Sequence, residues 1–223
     1  MAINPDNSHE CRHMFLCGCS GSGKSSFLRR LNLARLYQRV IYWDPDEDHK
    51  AEHCYTRASF KRAVMRGVAS GKKFRVAYTP DKVTQEEFEF WCGVFWAALD
   101  GSVLTAGVVE ELADVTGTAK AKGTWGQLSR KARKYGGHIY SVSQRPAEID
   151  KSILSQSPIK WCGQLETPAE RDYLSRVLGI QAEALQTMPA NIPGKKCHFY
   201  IKYPGPDPAK PRVFNPVQGA VTI

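Results

Sequence analysis

The sequence predicts an α/β fold with a mostly parallel central sheet flanked by helices. Short apolar segments of strand type recur along the 223 residues, at 14–17, 40–43, 74–78, 103–109, 138–143 and 158–163. Segments with apolar residues at helical spacing lie between most of them. This alternation is typical of parallel sheets, because parallel neighbours need a long crossover that is usually a helix. The length is sufficient for one such domain and small for two.

Two further apolar segments predict a β-hairpin near the C-terminus. They lie at 199–203 and 212–214, and the turn-rich sequence PGPDP joins them. We therefore expect one domain over residues 1–223, with its core at about 12–180. The hairpin and a proline-rich tail then occupy about 190–223.

The most specific motif follows the first predicted strand. Residues 18–25 read GCSGSGKS, which fits the phosphate-loop pattern GxxxxGK[ST], and a helical segment follows at 25–36. Glycines let successive backbone N–H groups converge on phosphate oxygens, and the helix N-terminus adds positive potential. Lys24 is expected to reach the β- and γ-phosphates, and the Ser25 hydroxyl to ligate Mg²⁺. The motif predicts a nucleoside triphosphate site formed by Gly18, Cys19, Ser20, Gly21, Ser22, Gly23, Lys24, Ser25 and Ser26.

Polar residues follow two later strands directly. The strand at 103–109 ends in Glu110 and Glu111, which form a Walker B arrangement downstream of a phosphate loop. We expect Glu110 to hold the Mg²⁺ shell and Glu111 to orient and deprotonate the attacking water. The alternative is an acid-rich helix start. The strand at 138–143 ends in Gln144, whose amide is placed to sense the γ-phosphate.

A basic helix is predicted after the flexible loop 117–123. Thr124 and Gln127 are expected to cap it, and it carries Arg130 and Arg133. Three interpretations stay open for these arginines: a solvated basic face, a contact to a nucleic-acid backbone, or an arginine finger that reaches a neighbouring subunit's γ-phosphate.

The net charge of +9 favours a polyanionic partner such as nucleic acid or an acidic membrane surface. Basic residues cluster at 61–75, at 120–134 and near Lys195, and the loop 117–123 contributes Lys120 and Lys122. No helix-turn-helix or zinc-finger pattern accompanies them. Any nucleic acid would therefore be held by its phosphates, without sequence preference.

Other patterns are interpreted as structural. Seven cysteines without a CxxC pair are typical of reduced core residues in a cytosolic protein. The acidic loop 44–48 is expected near the nucleotide edge of the sheet, as a solvated turn. A metal site at His49, His53 and Cys54 is a weaker alternative to a solvated loop. The apolar stretch 91–109 is divided by polar residues and predicts a buried helix, turn and strand, without a convincing membrane span.

The run ARKYGGHIYSVSQRP at 132–146 resembles the sensor strand of the FtsK–HerA superfamily of ring-forming, DNA-translocating ATPases. The resemblance spans 14 to about 178. It implies a single RecA-like P-loop domain of the ASCE type, ATP and Mg²⁺ as ligands, double-stranded DNA as a non-sequence-specific partner and a homo-oligomeric ring. It also implies that Gln144 senses the γ-phosphate and that Arg130 or Arg133 acts in trans. Glu110 stands where the family commonly has aspartate.

Within that superfamily, a motor domain of this size resembles the genome-packaging ATPases of tailless, membrane-containing double-stranded DNA viruses. About a dozen residues precede the first strand, and the additional domains of cellular relatives are not found. This resemblance implies a motor that pumps DNA into a preformed capsid. Its partners would be capsid or virion vertex proteins, and its location the cytoplasm of the infected host or the virion vertex.

Three other functions stay open. A secretion, conjugation or filamentous-phage assembly ATPase, similar to zonula-occludens-toxin-like proteins, usually carries a membrane-spanning segment. A small nucleotide kinase has similar length and an N-terminal phosphate loop, but it would not need Glu111 to activate water. A non-enzymatic nucleotide switch is disfavoured by the adjacent acids Glu110 and Glu111.

Overall fold

A computed structural model describes residue 6 and residues 8–218 of the chain. Nine strands of this part form one sheet: β1 (Met14–Cys17), β2 (Arg39–Trp43), β3 (Glu52–Cys54), β4 (Phe74–Tyr78), β5 (Thr105–Val109), β6 (Gly137–Ser143), β7 (Ile159–Cys162), β8 (Cys197–Lys202) and β9 (Lys210–Phe214). Their order is β3-β4-β2-β5-β6-β1-β7-β8-β9. Strands β1 to β7 are parallel, whereas β8 and β9 join antiparallel at one edge. The predicted α/β class with a mostly parallel sheet and a C-terminal hairpin is confirmed.

Helices cover both faces of this sheet. They are α1 (Lys24–Leu31), α2 (Leu33–Leu36), α3 (Arg57–Ser70), α4 (Gln85–Ala97), α5 (Gly123–Lys131), α6 (Lys151–Gln156), α7 (Pro168–Leu178) and α8 (Ala182–Gln186). On one face, α1 and α2 pack with the terminal hairpin, and Phe27 contacts the rings of Trp161, Phe199 and Phe214. The other six helices cover the opposite face, where the larger apolar core lies. Each face therefore has its own hydrophobic layer.

The helix after the phosphate loop is shorter than predicted. The sequence predicts one helix over 25–36, but Asn32 adopts a left-handed conformation with φ of 49° and separates α1 from α2. Asparagine tolerates this conformation better than most residues. The apolar spacing continues across the break, so periodicity alone did not reveal it.

Capping fixes the starts of two helices in different ways. Thr167 and Glu170 form a reciprocal capping box at the start of α7. The predicted cap of α5 at Thr124 is wrong, because α5 begins at Gly123 and the carboxylate of Glu89 accepts the N–H of Thr124. A charged acceptor from α4 thus replaces the local cap.

The apolar stretch of 91–109 is confirmed as buried helix, turn and buried strand. Its aromatic members belong to the core, where Trp91 stacks on Phe88 with an interplanar angle of 7°. In the described part of the chain, no helix has the length and apolar character needed to cross a bilayer. All seven cysteines are free thiols, and five of them are buried.

Candidate nucleotide site

The tips of four neighbouring strands converge at the carboxyl edge of the sheet. Parallel register aligns Cys17 with Ser143, Ser141 with Val109, and Val109 with Trp43. The residues that follow these strands therefore emerge side by side. They surround a cavity of about 890 Å³, in the position where ligands bind in open α/β sheets.

The phosphate loop forms one wall of the cavity, and its glycines are required by geometry. Gly23 precedes α1 with φ of 98°, and a Cβ atom there would lie 2.9 Å from the Cys197 sulfur. A Cβ atom on Gly18, with φ of 148°, would lie 2.6 Å from the Ser22 hydroxyl. Larger residues would therefore be strained at both positions. The loop is a cradle in which backbone N–H groups can bind phosphate oxygens.

Lys24 is held across the base of the loop. Its ammonium group donates to the carbonyl oxygens of Gly18 at 2.7 Å and Cys19 at 2.9 Å, and the side chain is buried. Burial lowers the pKa of Lys24, while the nearby carboxylate of Glu111 opposes that shift. The ammonium is fixed beside the cavity, where a phosphate would supply a further partner.

The other predicted phosphate-loop residues divide into two groups. Ser20, Gly21, Ser25 and Ser26 line the cavity together with Gly23 and Lys24. Ser22 is instead buried behind the loop, and Gly18 and Cys19 contribute the carbonyls that hold Lys24.

Oxygen ligands for a divalent cation are available opposite the loop. Glu110 and Glu111 line the cavity, as does Ser25. This set of hydroxyl and carboxylate oxygens fits Mg²⁺, which is usually bound by one or two carboxylates, waters and substrate phosphates. Within the described residues, no cluster of three or more His, Cys, Asp or Glu side chains could hold a metal by itself.

Glu111 is fixed by the neighbouring strand tip. Its carboxylate accepts the backbone N–H of Gln144 and the hydroxyl of Ser143, the latter at 3.2 Å. Burial raises the pKa of Glu111, and these hydrogen bonds counteract the shift. The Gln144 side chain is exposed and lines the cavity. The predicted acid and the predicted sensor are therefore adjacent.

Glu110 has a partner that the sequence did not indicate. His49 Nε2 lies 2.7 Å from Glu110 Oε1, and both side chains are buried. The expected solvated loop at His49 is wrong, and the alternative metal site with His53 and Cys54 finds no support in the described residues. His53 instead contacts the Thr79 hydroxyl and the His49 carbonyl.

The acidic loop 44–48 is only partly solvated. Asp44 is fully buried and accepts the N–H groups of Asp48 and His49 at 2.9 and 3.0 Å. The interpretation as a solvated turn is therefore wrong for Asp44, whose carboxylate organises the turn. Asp46 and Asp48 are exposed and line the cavity, at the nucleotide edge as predicted.

A turn near the C-terminal hairpin completes the cavity. Asn191 donates through Nδ2 to the carbonyls of Gly21 and Ser22, at 3.4 and 3.2 Å. Its Oδ1 accepts the N–H of His198 at 2.8 Å, which fixes the orientation of the amide. The next residue, Ile192, lines the cavity. Sequence patterns gave no signal for this contact.

The candidate arginine fingers lie elsewhere. Neither Arg130 nor Arg133 is among the described residues that line the cavity. Arg130 donates to the Ala121 carbonyl at 3.4 Å, and Arg133 to the His9 carbonyl at 2.9 Å. The arginines that line the cavity in the described part of the chain are Arg29 and Arg145, and Arg145 forms ion pairs with Asp114 and Glu148.

Comparison with known proteins shows to which family the chain belongs. No protein-family model matches the sequence. The chain is 34% identical to protein P9 of Pseudoalteromonas phage PM2 over 190 residues, which cover 85% of each protein. The chain belongs to the P9 family.

Solved structures place this P9-family chain among P-loop ATPase folds. The genome packaging NTPase B204 of Sulfolobus turreted icosahedral virus 2, in complex with sulfate, matches with a TM-score of 0.70 and 15% identity, covering 95% of this chain and 99% of B204. Its complex with AMPPCP matches equally well in TM-score, at 14% identity and the same coverage. EssC of Geobacillus thermodenitrificans (ATPases 2 and 3) gives 0.55 at 14% identity, over 95% of this chain and 41% of EssC. The predicted RecA-like fold, and the resemblance to FtsK–HerA and viral packaging ATPases, are confirmed at the level of the fold.

Proposed function

We propose that the chain is an ATP-driven motor that pumps double-stranded DNA into a preformed viral capsid. The observation that carries the proposal is the meeting of the phosphate loop, the glutamates of the β5 tip and Gln144 at one cavity. This arrangement occurs in a chain of the P9 family with the fold of a viral genome packaging NTPase.

In this proposal, the phosphate loop binds the β- and γ-phosphates of ATP. Backbone N–H groups of residues 18–25 and the start of α1 supply the positive potential, and Lys24 adds a full charge. Its ammonium group is already held by two loop carbonyls, so the side chain loses little further conformational entropy when the phosphates bind. The loop therefore orients the γ-phosphate toward the tips of β5 and β6.

Ser25 and Glu110 would hold Mg²⁺, and Glu111 would act on the attacking water. When bound, Mg²⁺ neutralises charge on the β- and γ-phosphate oxygens. Glu111 accepts the proton of the water, since its carboxylate is anchored by Gln144 and Ser143 and burial raises its pKa above that of an exposed glutamate. The Gln144 side chain orients the water or senses the γ-phosphate.

The coupling to DNA would use the positive surface of a homo-oligomeric ring. Lys120 and Lys122 are exposed in the loop between β5 and α5, close in the chain to the catalytic glutamates. Contacts to phosphates alone suit a motor that moves along any sequence. Arg130 or Arg133 would reach the γ-phosphate of the adjacent subunit. We place the motor in the host cytoplasm or at the virion vertex, with capsid or vertex proteins as partners.

The first test is ATP turnover by the purified protein with and without double-stranded DNA. We expect phosphate release that increases with DNA of any sequence and is lost in Lys24→Ala, the matched negative control. Addition of empty capsids should then protect DNA from nuclease in an ATP-dependent manner. Phosphate transfer to a nucleotide acceptor would favour the kinase alternative. A rate of ATP hydrolysis that does not change when DNA is added would contradict a DNA motor.

A further inference from the structure

A buried hydrogen bond joins the metal-binding candidate Glu110 to a histidine from another part of the chain. His49 Nε2 and Glu110 Oε1 are 2.7 Å apart, and each residue is only 8% exposed. A carboxylate at such a position needs a donor, because a buried charged group without a hydrogen-bond partner is strongly destabilising. His49 supplies that donor, while Glu110 still lines the nucleotide cavity.

The His49 side chain is itself fixed from several directions. Its ring stacks on Tyr42 with a centroid distance of 4.6 Å and an interplanar angle of 26°. Its backbone N–H donates to the buried carboxylate of Asp44, and its carbonyl contacts His53 Nε2 at 2.8 Å. The ring therefore has little freedom to leave Glu110.

A fixed partner matters because glutamate is flexible. Glu110 follows β5 directly, and its backbone N–H donates to the Trp43 carbonyl at 3.1 Å, so its backbone is set by the sheet. Its side chain has one more rotatable bond than an aspartate would have. Ordering such a side chain costs conformational entropy each time a ligand requires it. The hydrogen bond from His49 restricts Glu110 before any ligand arrives.

We propose that His49 is a positioning residue that orients Glu110 toward the Mg²⁺ of a bound nucleotide. The inference rests on the proposed function, in which Glu110 belongs to the metal shell. Partners that hydrogen-bond metal-ligating groups commonly change metal affinity by about 10- to 100-fold when they are replaced. His49 acts through Glu110 and contributes no ligand of its own.

The test measures Mg²⁺-dependent binding of a non-hydrolysable ATP analogue to the full-length protein. His49→Phe keeps an aromatic ring for the stack on Tyr42 but removes the donor, and His49→Gln restores a donor at a similar distance. His9→Phe is the matched control, because it makes the same change in a histidine that contacts Asp6 and is not among the described residues that line the cavity. Thermal unfolding of each variant confirms that it is folded.

We expect the Mg²⁺ concentration for half-maximal binding to rise about tenfold in His49→Phe. His49→Gln should stay within about threefold of wild type, and His9→Phe should leave the midpoint unchanged. In the Glu110→Gln background, His49→Phe should add nothing, because the group it positions is already altered.

Three results would overturn the inference while leaving the proposed function intact. They are an unchanged midpoint in His49→Phe, an equal shift in His9→Phe, and an additive effect in the double variant. If the Mg²⁺ concentration for half-maximal binding did not shift in Glu110→Gln, Glu110 would not bind the metal and the inference would be wrong as well. Absence of DNA-stimulated turnover alongside the expected binding shifts would overturn the proposed motor alone.

Discussion

Glu111 accepts the backbone N–H of Gln144 through both carboxylate oxygens, at 3.1 and 3.2 Å. Glu111 also has a left-handed backbone, with φ of 38°, which is uncommon for a residue with a side chain. Such strain costs about 1–3 kcal/mol and persists where the surroundings hold it. Here the adjacent tip of β6 holds it, so the carboxylate has a fixed position at the cavity.

Replacement of Glu111 by glutamine should separate binding from hydrolysis. An amide cannot accept the proton of the attacking water, so we expect turnover to fall about 10²- to 10⁴-fold while ATP and Mg²⁺ still bind. Glu110→Gln should instead raise the Mg²⁺ requirement. Single-turnover hydrolysis and analogue binding measure the two effects. Exchanged phenotypes would show that the two acids have the opposite roles.

Asn191 should control nucleotide affinity through the phosphate loop. In Asn191→Asp, a carboxylate oxygen would face the carbonyls of Gly21 and Ser22 where an N–H group now donates. We expect a dissociation constant for ATP about tenfold higher, a larger change than in Asn191→Ala. Gln181→Glu adds the same charge to an exposed residue and is the control. Equal affinities for Asn191→Asp and the control would contradict the role.

Mixed rings should identify an arginine that acts in trans. Lys24→Ala subunits lack a functional phosphate loop, and subunits altered at Arg130 or Arg133 would lack the finger. Each should be inactive alone, since a finger contributes about 10³- to 10⁵-fold to turnover in other systems. Mixing them should restore some ATP hydrolysis. No recovery with either arginine, under conditions where rings form, would exclude both residues.

The basic loop before α5 should contribute to DNA affinity without sequence preference. Removing Lys120 and Lys122 together should flatten the dependence of DNA binding on salt, since each phosphate contact contributes about −0.9 to the slope. Basal ATP turnover should stay close to wild type, while its stimulation by DNA falls. The paired variant of Lys50 and Lys82, two exposed lysines outside the three basic clusters, is the charge-matched control. If wild type and the Lys120 and Lys122 variant showed the same salt dependence of DNA binding, this loop would not contact the DNA.

Acid should destabilise the fold through two buried histidines. Burial lowers the pKa of His13 to about 3 and that of His138 to about 4, from an ordinary value of 6.5. Between the folded and the unfolded pKa of each histidine, the unfolded chain binds a proton that the folded chain does not. The free energy of unfolding is therefore greatest above pH 6.5 and falls as the pH decreases. The loss is about 1.4 kcal/mol per pH unit for each group.

Urea unfolding from pH 7 to pH 5 measures this effect. His13 Nδ1 accepts the N–H of Ile139 at 3.0 Å, and the amide oxygen of His13→Asn can accept the same hydrogen bond. Because asparagine does not titrate, the variant should lose about 2 kcal/mol less stability than wild type between pH 6.5 and pH 5. Parallel pH profiles for the two proteins would contradict the assignment of the proton to His13.

Much of the candidate site was predictable because its elements are local. The phosphate loop is a continuous run between a strand and a helix, and Glu110, Glu111 and Gln144 each follow an apolar strand directly. Parallel strands present their carboxyl ends at one edge of the sheet, so these positions in the chain predicted that the residues lie at the same edge.

The remaining parts depend on contacts between distant segments. His49 and Glu110 are 61 residues apart in the chain, and Asn191 is 169 residues from Ser22. The N-terminus of α5 depends on Glu89 in another helix. None of these pairs has a sequence spacing that local geometry constrains, and polar residues in loops commonly stay in solvent.

By itself, the sequence determined the class of fold, the phosphate loop and the acids and amide at the strand tips, because hydrophobic periodicity and glycine conformation act over a few neighbouring residues. The tertiary structure decided the strand order, with β6 between β1 and β5, and so decided that Gln144 anchors Glu111. It also decided that His49 meets Glu110 and that Asn191 meets the phosphate loop. These contacts arise from packing of the whole sheet, and no single segment encodes them.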